Sequence, residues 1–240
     1  MTDIFDFRGK VALLTGVGRK GQVGEAVADA FAASGARLIM IERQAETMND
    51  RLDAMRAIGV EAFGHACDLT DATALSALVP KVAAQAPNGV HAMVHLAGGF
   101  ASSGPIAESD PEVWHRQIAI NLTTAYLTTR AFLPLVRAAT GSIVYFASAA
   151  ALPGGGVAEL SAYAVAKTGV LTFMRAVAAE ERTTGVRANA LAPTSVRTAT
   201  NIAGMGQDVR YVERETVARW VLYLTDPTSG PVSGQAFRLG

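Results

Sequence analysis

Val11-Ala12-Leu13-Leu14-Thr15-Gly16-Val17-Gly18-Arg19-Lys20-Gly21-Gln22-Val23-Gly24 sets a short apolar run against a cluster of glycines, and Glu25-Ala26-Val27-Ala28-Asp29-Ala30 continues with a helical pattern. The run reads as a strand and the continuation as a helix. Glycines between them permit a tight turn and close approach of the backbone to a pyrophosphate. The helix start would present free N–H groups and the positive end of its dipole. A glycine-rich turn is common by itself; the strand before it and the helix after it give this one its meaning.

Outward from that stretch the same alternation repeats. Strand-like runs fall at 11–14, 37–41, 61–66, 92–96, 142–146, 187–191 and 235–238, with helical stretches at 25–34, 45–58, 72–85, 111–138, 161–184 and 215–224. Several runs are apolar on both faces, as in a parallel sheet covered on both sides. Alternation of this kind predicts an α/β fold, a doubly wound and mostly parallel sheet of seven strands with helices on both faces. No repeat and no linker rich in Pro, Gly or Ser divides the 240 residues, so they read as one domain.

Composition removes several classes of function. The 21 basic residues balance the 21 acidic ones, which leaves no field to draw the chain to nucleic acid or an anionic membrane. No apolar run approaches the ~18 residues a membrane span needs. MTDIFDFRGK lacks the apolar core of a signal peptide. The single cysteine, Cys67, allows no internal disulfide and no cysteine-rich metal site; it reads as a small buried apolar residue of a cytoplasmic protein.

Two local patterns carry chemistry. About 18 residues past Gly24 the second strand ends in Glu42, which could accept bonds from the adenosine ribose hydroxyls and repel a 2′-phosphate. Arg43, Arg19 and Lys20 pull toward NADP, and the balance tips to NAD. Tyr163-Ala164-Val165-Ala166-Lys167 places a phenol and an ammonium one turn apart on a helical face. A tyrosine with a pKa near 10 is a poor base at neutral pH. A nearby ammonium stabilises the phenolate and makes it a usable acid/base. Ser148 follows the fifth strand, where a hydroxyl could hold a substrate oxygen, and Asn121 is a polar amide among apolar helix residues that needs a partner if buried.

With these pieces in order, the chain resembles the short-chain dehydrogenase/reductase family over its whole length. The matching segments are Thr15-Gly16 to Gly24, Asp68-Leu69-Thr70-Asp71, Ala97-Gly98, Asn121, Ser148, Tyr163 to Lys167, Pro193 to Thr198 and Ser233-Gly234-Gln235. The resemblance implies a Rossmann-type sheet of order 3-2-1-4-5-6-7 and hydride transfer between NAD or NADP and a carbonyl or alcohol. It implies that Tyr163 moves the proton, Ser148 orients the reacting oxygen, Lys167 holds the nicotinamide ribose and lowers the tyrosine pKa, and Asn121 holds a water linking Lys167 to solvent. The dinucleotide would lie on Gly16, Gly18, Arg19, Gly21, Val23 and Gly24, on Glu42 and Arg43, on Asp68 and Leu69 beside the adenine, and on Ala97 and Gly98. Pro193, Val196 and Thr198 would reach the nicotinamide end with Tyr163 and Lys167.

The chain also departs from the family. Its last loop glycine, Gly24, comes one residue late, which would push Arg19 or Lys20 toward the phosphates. His95-Leu96-Ala97-Gly98 stands where Asn-Asn-Ala-Gly is usual, so an asparagine's structural bonds must come from His95 or be lost; no second ligand makes His95 a metal site. Pro193-Thr194 replaces Pro-Gly. Ser148 and Tyr163 are two residues further apart than usual, owing to Pro153-Gly154-Gly155-Gly156, and the segment from Thr198 to Glu215 is about ten residues short. The substrate stays open: a ketone or secondary alcohol, a 3-oxoacyl thioester, or none, if the chain is a silent dinucleotide-binding regulator. Phe100, Leu152, Val157, Leu160, Ile202 and Met205 suit an apolar substrate or plain packing. Helices 111–138 and 161–184 are apolar nearly all round, which favours a partner subunit. A homo-oligomer is expected, a tetramer or a dimer, with Leu127, Phe132, Leu171 and Phe173 as candidate interface residues.

Overall fold

The inner strands are short and buried on both faces, and that dictates a sheet sandwiched between two helical layers. The computed structural model describes residues 5–240 and has this form. The seven strands are β1 Val11–Thr15, β2 Arg37–Glu42, β3 Ala62–Ala66, β4 Ala92–His95, β5 Ser142–Phe146, β6 Arg187–Pro193 and β7 Ala236–Leu239. They pair in the order β3-β2-β1-β4-β5-β6-β7, all parallel. The expected order holds, and the sheet is wholly rather than mostly parallel. The last strand lies one residue later than read.

The helices are α1 Val23–Ala33, α2 Ala45–Ala57, α3 Ala72–Gln85, α4 Pro111–Ile118, α5 Thr124–Ala138, α6 Ser161–Glu180, α7 Ala199–Met205 and α8 Arg214–Thr225. Leu14, Met40 and Val94 point to one face, where they meet Phe31 of α1 and Val221 of α8. Leu13, Ile39 and Met93 point to the other, against Val82, Phe132 and Met174 from α3, α5 and α6. Cys67 is buried there as a free thiol.

Three expectations need correction. The single helix at 111–138 is α4 and α5 joined by a π-helical turn over Ala119–Thr123. Asn121 at its centre sends its Nδ2 to the Gln117 carbonyl at 3.1 Å, taking an acceptor the α-helix would have used for its own ladder. The segment past Thr198 was read without a helix, yet it contains α7, whose residues are all at least partly exposed and so leave no apolar stripe in the sequence. Phe132 and Leu171 are buried in the monomer's own core and cannot form an interface. Leu127 and Phe173 are half-buried against that core. The outward face is marked instead by Tyr126 and Val165, 47% and 48% exposed.

The crossover reverses between β1 and β4, because β1 is followed in the sheet by β2 on one side and β4 on the other. In a sheet of this kind a crevice opens at that switch point, beyond the carboxyl ends of the strands. Gly16 and Ala97 stand there.

Candidate active site

A cleft of about 580 Å³ runs from Gly16 and Gly18 past Ala97 and Gly98 to Glu42, Asp68 and Leu69. Arg19 and Arg43 also line it, while Lys20 does not. Two glycines make it possible. A Cβ on Gly16 would stand 2.4 Å from the Ala97 Cα, so only glycine lets β1 and the β4 turn meet at the crevice floor. A Cβ on Gly24 would stand 2.2 Å from the Val17 carbonyl oxygen, so the late glycine still packs α1 under the loop. Gln22 at the α1 N-cap makes no side-chain cap bond, which leaves the helix start without a capping group. That is a suitable seat for a pyrophosphate.

Glu42 reaches across to this loop. Its Oε2 accepts the Gly18 N–H at 3.1 Å and its Oε1 the Arg43 N–H at 2.8 Å. Glu25, which the sequence reading passed over, holds the loop from below. It accepts from the Gly21 N–H at 2.6 Å, Arg51 at 3.1 Å and Arg214 at 3.0 Å. Burial alone would raise its pKa, but the Gly21 bond and the two guanidiniums outweigh it and the carboxyl lies below its ordinary value. The same two cations keep a buried carboxylate from opposing a bound phosphate. Its role was hidden because its partners come from α2 and α8, distant in the chain.

Gly21, Val23, Gly24, Pro193, Val196 and Thr198 do not line the cleft. Gly21 lies against α7: its carbonyl accepts the Ala199 N–H at 3.0 Å, and Gln22 Nε2 donates to Thr200 Oγ1 at 3.0 Å. Thr198 Oγ1 accepts the Asn201 N–H at 3.1 Å and caps α7. Pro193 ends β6, and Val196 forms a bridge to Val212. The sequence reading missed Arg116, Ala119, Ile120 and Thr124, which line the cleft with Thr47 and Thr70. Their spacing of three, four and eight residues is one helical face and was legible in principle.

The four catalytic candidates, Tyr163 and Lys167 among them, do not line that cleft either; they gather beside Gly98, which does. Lys167 is buried, and its Nζ donates to the Phe146 carbonyl at 2.8 Å. Asn121 Oδ1 accepts the Gly99 N–H at 3.2 Å, and Nδ2 donates to the Gly99 carbonyl at 2.9 Å. Gly98 brings these two together: a Cβ there would meet Asn121 Oδ1 at 2.6 Å and Lys167 Nζ at 3.4 Å. Ser148 follows β5 and hydrogen-bonds the Tyr163 phenol.

Burial pushes the Tyr163 phenol above its ordinary pKa, and the Ser148 bond opposes this only in part. Lys167 Nζ stands 5.9 Å from the centroid of that ring and is bonded to a carbonyl, and burial pushes its own pKa down to about 8. The phenol is therefore protonated at neutral pH.

His95 takes over a structural task. It is buried and stacked on Tyr145 with ring centroids 4.9 Å apart. Its Nε2 meets Thr129 Oγ1 at 3.1 Å, and that hydroxyl meets the Tyr145 phenol at 2.9 Å. Burial pushes the imidazole pKa down to about 3, so it ties β4 to α5 as a neutral group. Thr194 continues β6, donating its N–H to the Leu239 carbonyl at 2.9 Å. Among the described residues no cluster of His, Cys, Asp or Glu could hold a metal ion, and no helix is long and apolar enough to cross a membrane.

Residues 10–206 match the family of the short chain dehydrogenases. This chain belongs to that family. Galactitol 2-dehydrogenase (L-tagatose-forming) of Cereibacter sphaeroides is 32% identical over 245 residues, covering 96% of this chain and 93% of that protein. D-threitol dehydrogenase of Mycolicibacterium smegmatis is 34% identical over 197 residues, 81% of this chain and 74% of its own. The fold is shared with carveol dehydrogenase of Mycobacterium avium, solved in complex with NAD, at a TM-score of 0.88 and 24% identity over 98% of this chain and 97% of that one. This short-chain dehydrogenase is an NAD(P)-dependent oxidoreductase of alcohols and ketones.

Proposed function

We propose that this enzyme reduces a ketone to a secondary alcohol with NADH, using Tyr163 as the proton donor. The observation that carries the reading is the gathering of Asn121, Ser148, Tyr163 and Lys167 beside Gly98, a residue that lines a cleft floored by Gly16 and Ala97. A nicotinamide in that cleft would supply the hydride; the chain's own residues do the rest. Ser148 orients the carbonyl oxygen through its hydroxyl. Tyr163, protonated at neutral pH, gives that oxygen its proton. Lys167, held on the Phe146 carbonyl, presents a cation beside the ribose and the phenol. The Asn121 amide is spent on Gly99 and Gln117, so a water relay from Lys167 would run through main-chain carbonyls rather than this side chain.

The preference for NAD rests on Glu42. Its carboxylate stands between the glycine loop and the end of β2, where a 2′-phosphate would meet its charge. Arg19, Arg43 and Arg116 line the same cleft and act in the opposite sense. Fluorescence titration with each oxidised cofactor is expected to give tighter binding of NAD, and Glu42→Ala should narrow the gap by roughly 1–3 kcal/mol. Tighter binding of NADP to the wild type would reverse the assignment. Consumption of NADH in the presence of a panel of ketones tests the activity itself. Phe100, 65% exposed with its ring centroid 5.1 Å from that of Tyr163, favours carbonyls carrying an apolar substituent.

We also propose a cytoplasmic homo-oligomer, a tetramer or a dimer built on the outer faces of α5 and α6. The exposed Tyr126 and Val165 support the assembly, and the free buried thiol of Cys67 fits a reducing compartment. Light scattering should give a multiple of 25.0 kDa; a fully active particle of that mass would refute the assembly.

A further inference from the structure

The helix that carries Tyr163 begins without a cap of its own. Leu160 occupies the N-cap of α6 and supplies no side-chain bond. The preceding Glu159 is one of the few non-glycine residues in the left-handed region, at φ 58°. Its carbonyl is used three times: it accepts the Ser103 N–H at 2.8 Å, the Ser102 hydroxyl at 3.0 Å and the Ser103 hydroxyl at 3.1 Å. Ser103 Oγ also lies 3.0 Å from Ser161 Oγ, on the first residue of α6. Ser103 is buried and its hydroxyl has one proton; with that proton given to Glu159, Ser161 must donate to Ser103.

The loop that brings Ser103 there starts at the catalytic centre. Gly99 exchanges two hydrogen bonds with Asn121. Phe100 then rests edge-on against Tyr163, and three residues further Ser103 grips the start of α6. The segment 99–103 therefore fastens Asn121 at one end and the first turn of α6 at the other, two residues before Tyr163.

We propose that Ser103 is a positioning residue for Tyr163, its hydroxyl and backbone N–H locking the left-handed turn at Glu159 from which the uncapped helix starts. The proposal rests on the reading of Tyr163 as proton donor and adds the element that fixes where the phenol stands. Removing the hydroxyl takes away one of three bonds to Glu159 and the only bond from this loop to Ser161. The helix start then loosens while the dinucleotide cleft, on the far side of Asn121, keeps its residues.

The test compares Ser103→Ala and Ser103→Thr with the wild type, taking Ser109→Ala, a serine of an exposed turn, as control. Ser103→Ala should lower kcat about tenfold, with KM within threefold and NAD affinity within twofold. The alkaline limb of its kcat profile, where the phenol loses its proton, should move to lower pH as water reaches Tyr163. Ser103→Thr should recover most of the loss. Amide exchange over residues 161–166 should quicken in Ser103→Ala and stay unchanged in α5. A kcat within twofold of wild type, a loss shared equally by NAD affinity, or an unmoved pH limb would overturn the proposal. If the wild type turns over no carbonyl, the reading of Tyr163 fails, and unchanged exchange over 161–166 would separately overturn the lock.

Discussion

Tyr163→Phe is expected to lower kcat by on the order of a hundredfold or more while leaving NAD affinity near that of the wild type. The substitution deletes one oxygen, and on the proposed reading that oxygen gives its proton to a substrate held by Ser148. Loss of a general acid costs about 10²–10⁴ in rate. The ring itself stays: its edge contact with Phe100 does not use the hydroxyl. The cleft floor at Gly16 and Ala97 and the carboxylate of Glu42 are untouched, so binding should persist. Folding should suffer little, since the bond lost to Ser148 is worth about 1 kcal/mol. Steady-state kinetics with a cofactor titration on the same sample checks both halves. A variant keeping more than half the wild-type kcat would remove Tyr163 from the role.

The second large effect concerns the scaffold. Gly24→Ala should destabilise the fold by about 3 kcal/mol, the upper end for overpacking a tight site. A Cβ there would lie 2.2, 2.5 and 2.6 Å from the carbonyl oxygen, carbonyl carbon and Cα of Val17, all backbone atoms that cannot rotate aside. Either α1 tilts away or the loop from Gly16 to Gly18 lifts, and the second disturbs the cofactor cradle directly. For a domain of this size that energy corresponds to a fall in Tm of roughly 6–12 °C. NAD affinity should fall at least tenfold. Gly156→Ala is the control: nothing lies within 4 Å of its Cβ and its φ is not positive. An unchanged Tm and Kd in Gly24→Ala would mean that the late glycine has no packing role.

Most strands were legible because their runs are apolar on both faces and bounded by turn residues, and the sheet order followed from the family resemblance. Tyr163 and Lys167 were legible because four residues is one helical turn; that Gly98 would bring Lys167 beside Asn121 was not, since it depends on how β4, the π turn and α6 meet. The π turn left no mark in sequence, for its residues keep ordinary helical dihedrals at both ends and the distortion comes from the Asn121 amide seeking a carbonyl. Phe132 and Leu171 were misplaced for a related reason. On a helix apolar nearly all round, periodicity does not say which side meets the sheet. The Ser103 lock rests on contacts 56 to 58 residues apart.

The central claim is that this site moves a hydride from the nicotinamide to a carbonyl carbon. NADH carrying deuterium at the transferring position of the nicotinamide, incubated with the enzyme and a ketone it consumes, tests this most directly by mass spectrometry of the alcohol. The account predicts one deuterium on the carbinol carbon and none in product formed without enzyme. Alcohol formed by the enzyme without that deuterium would contradict it.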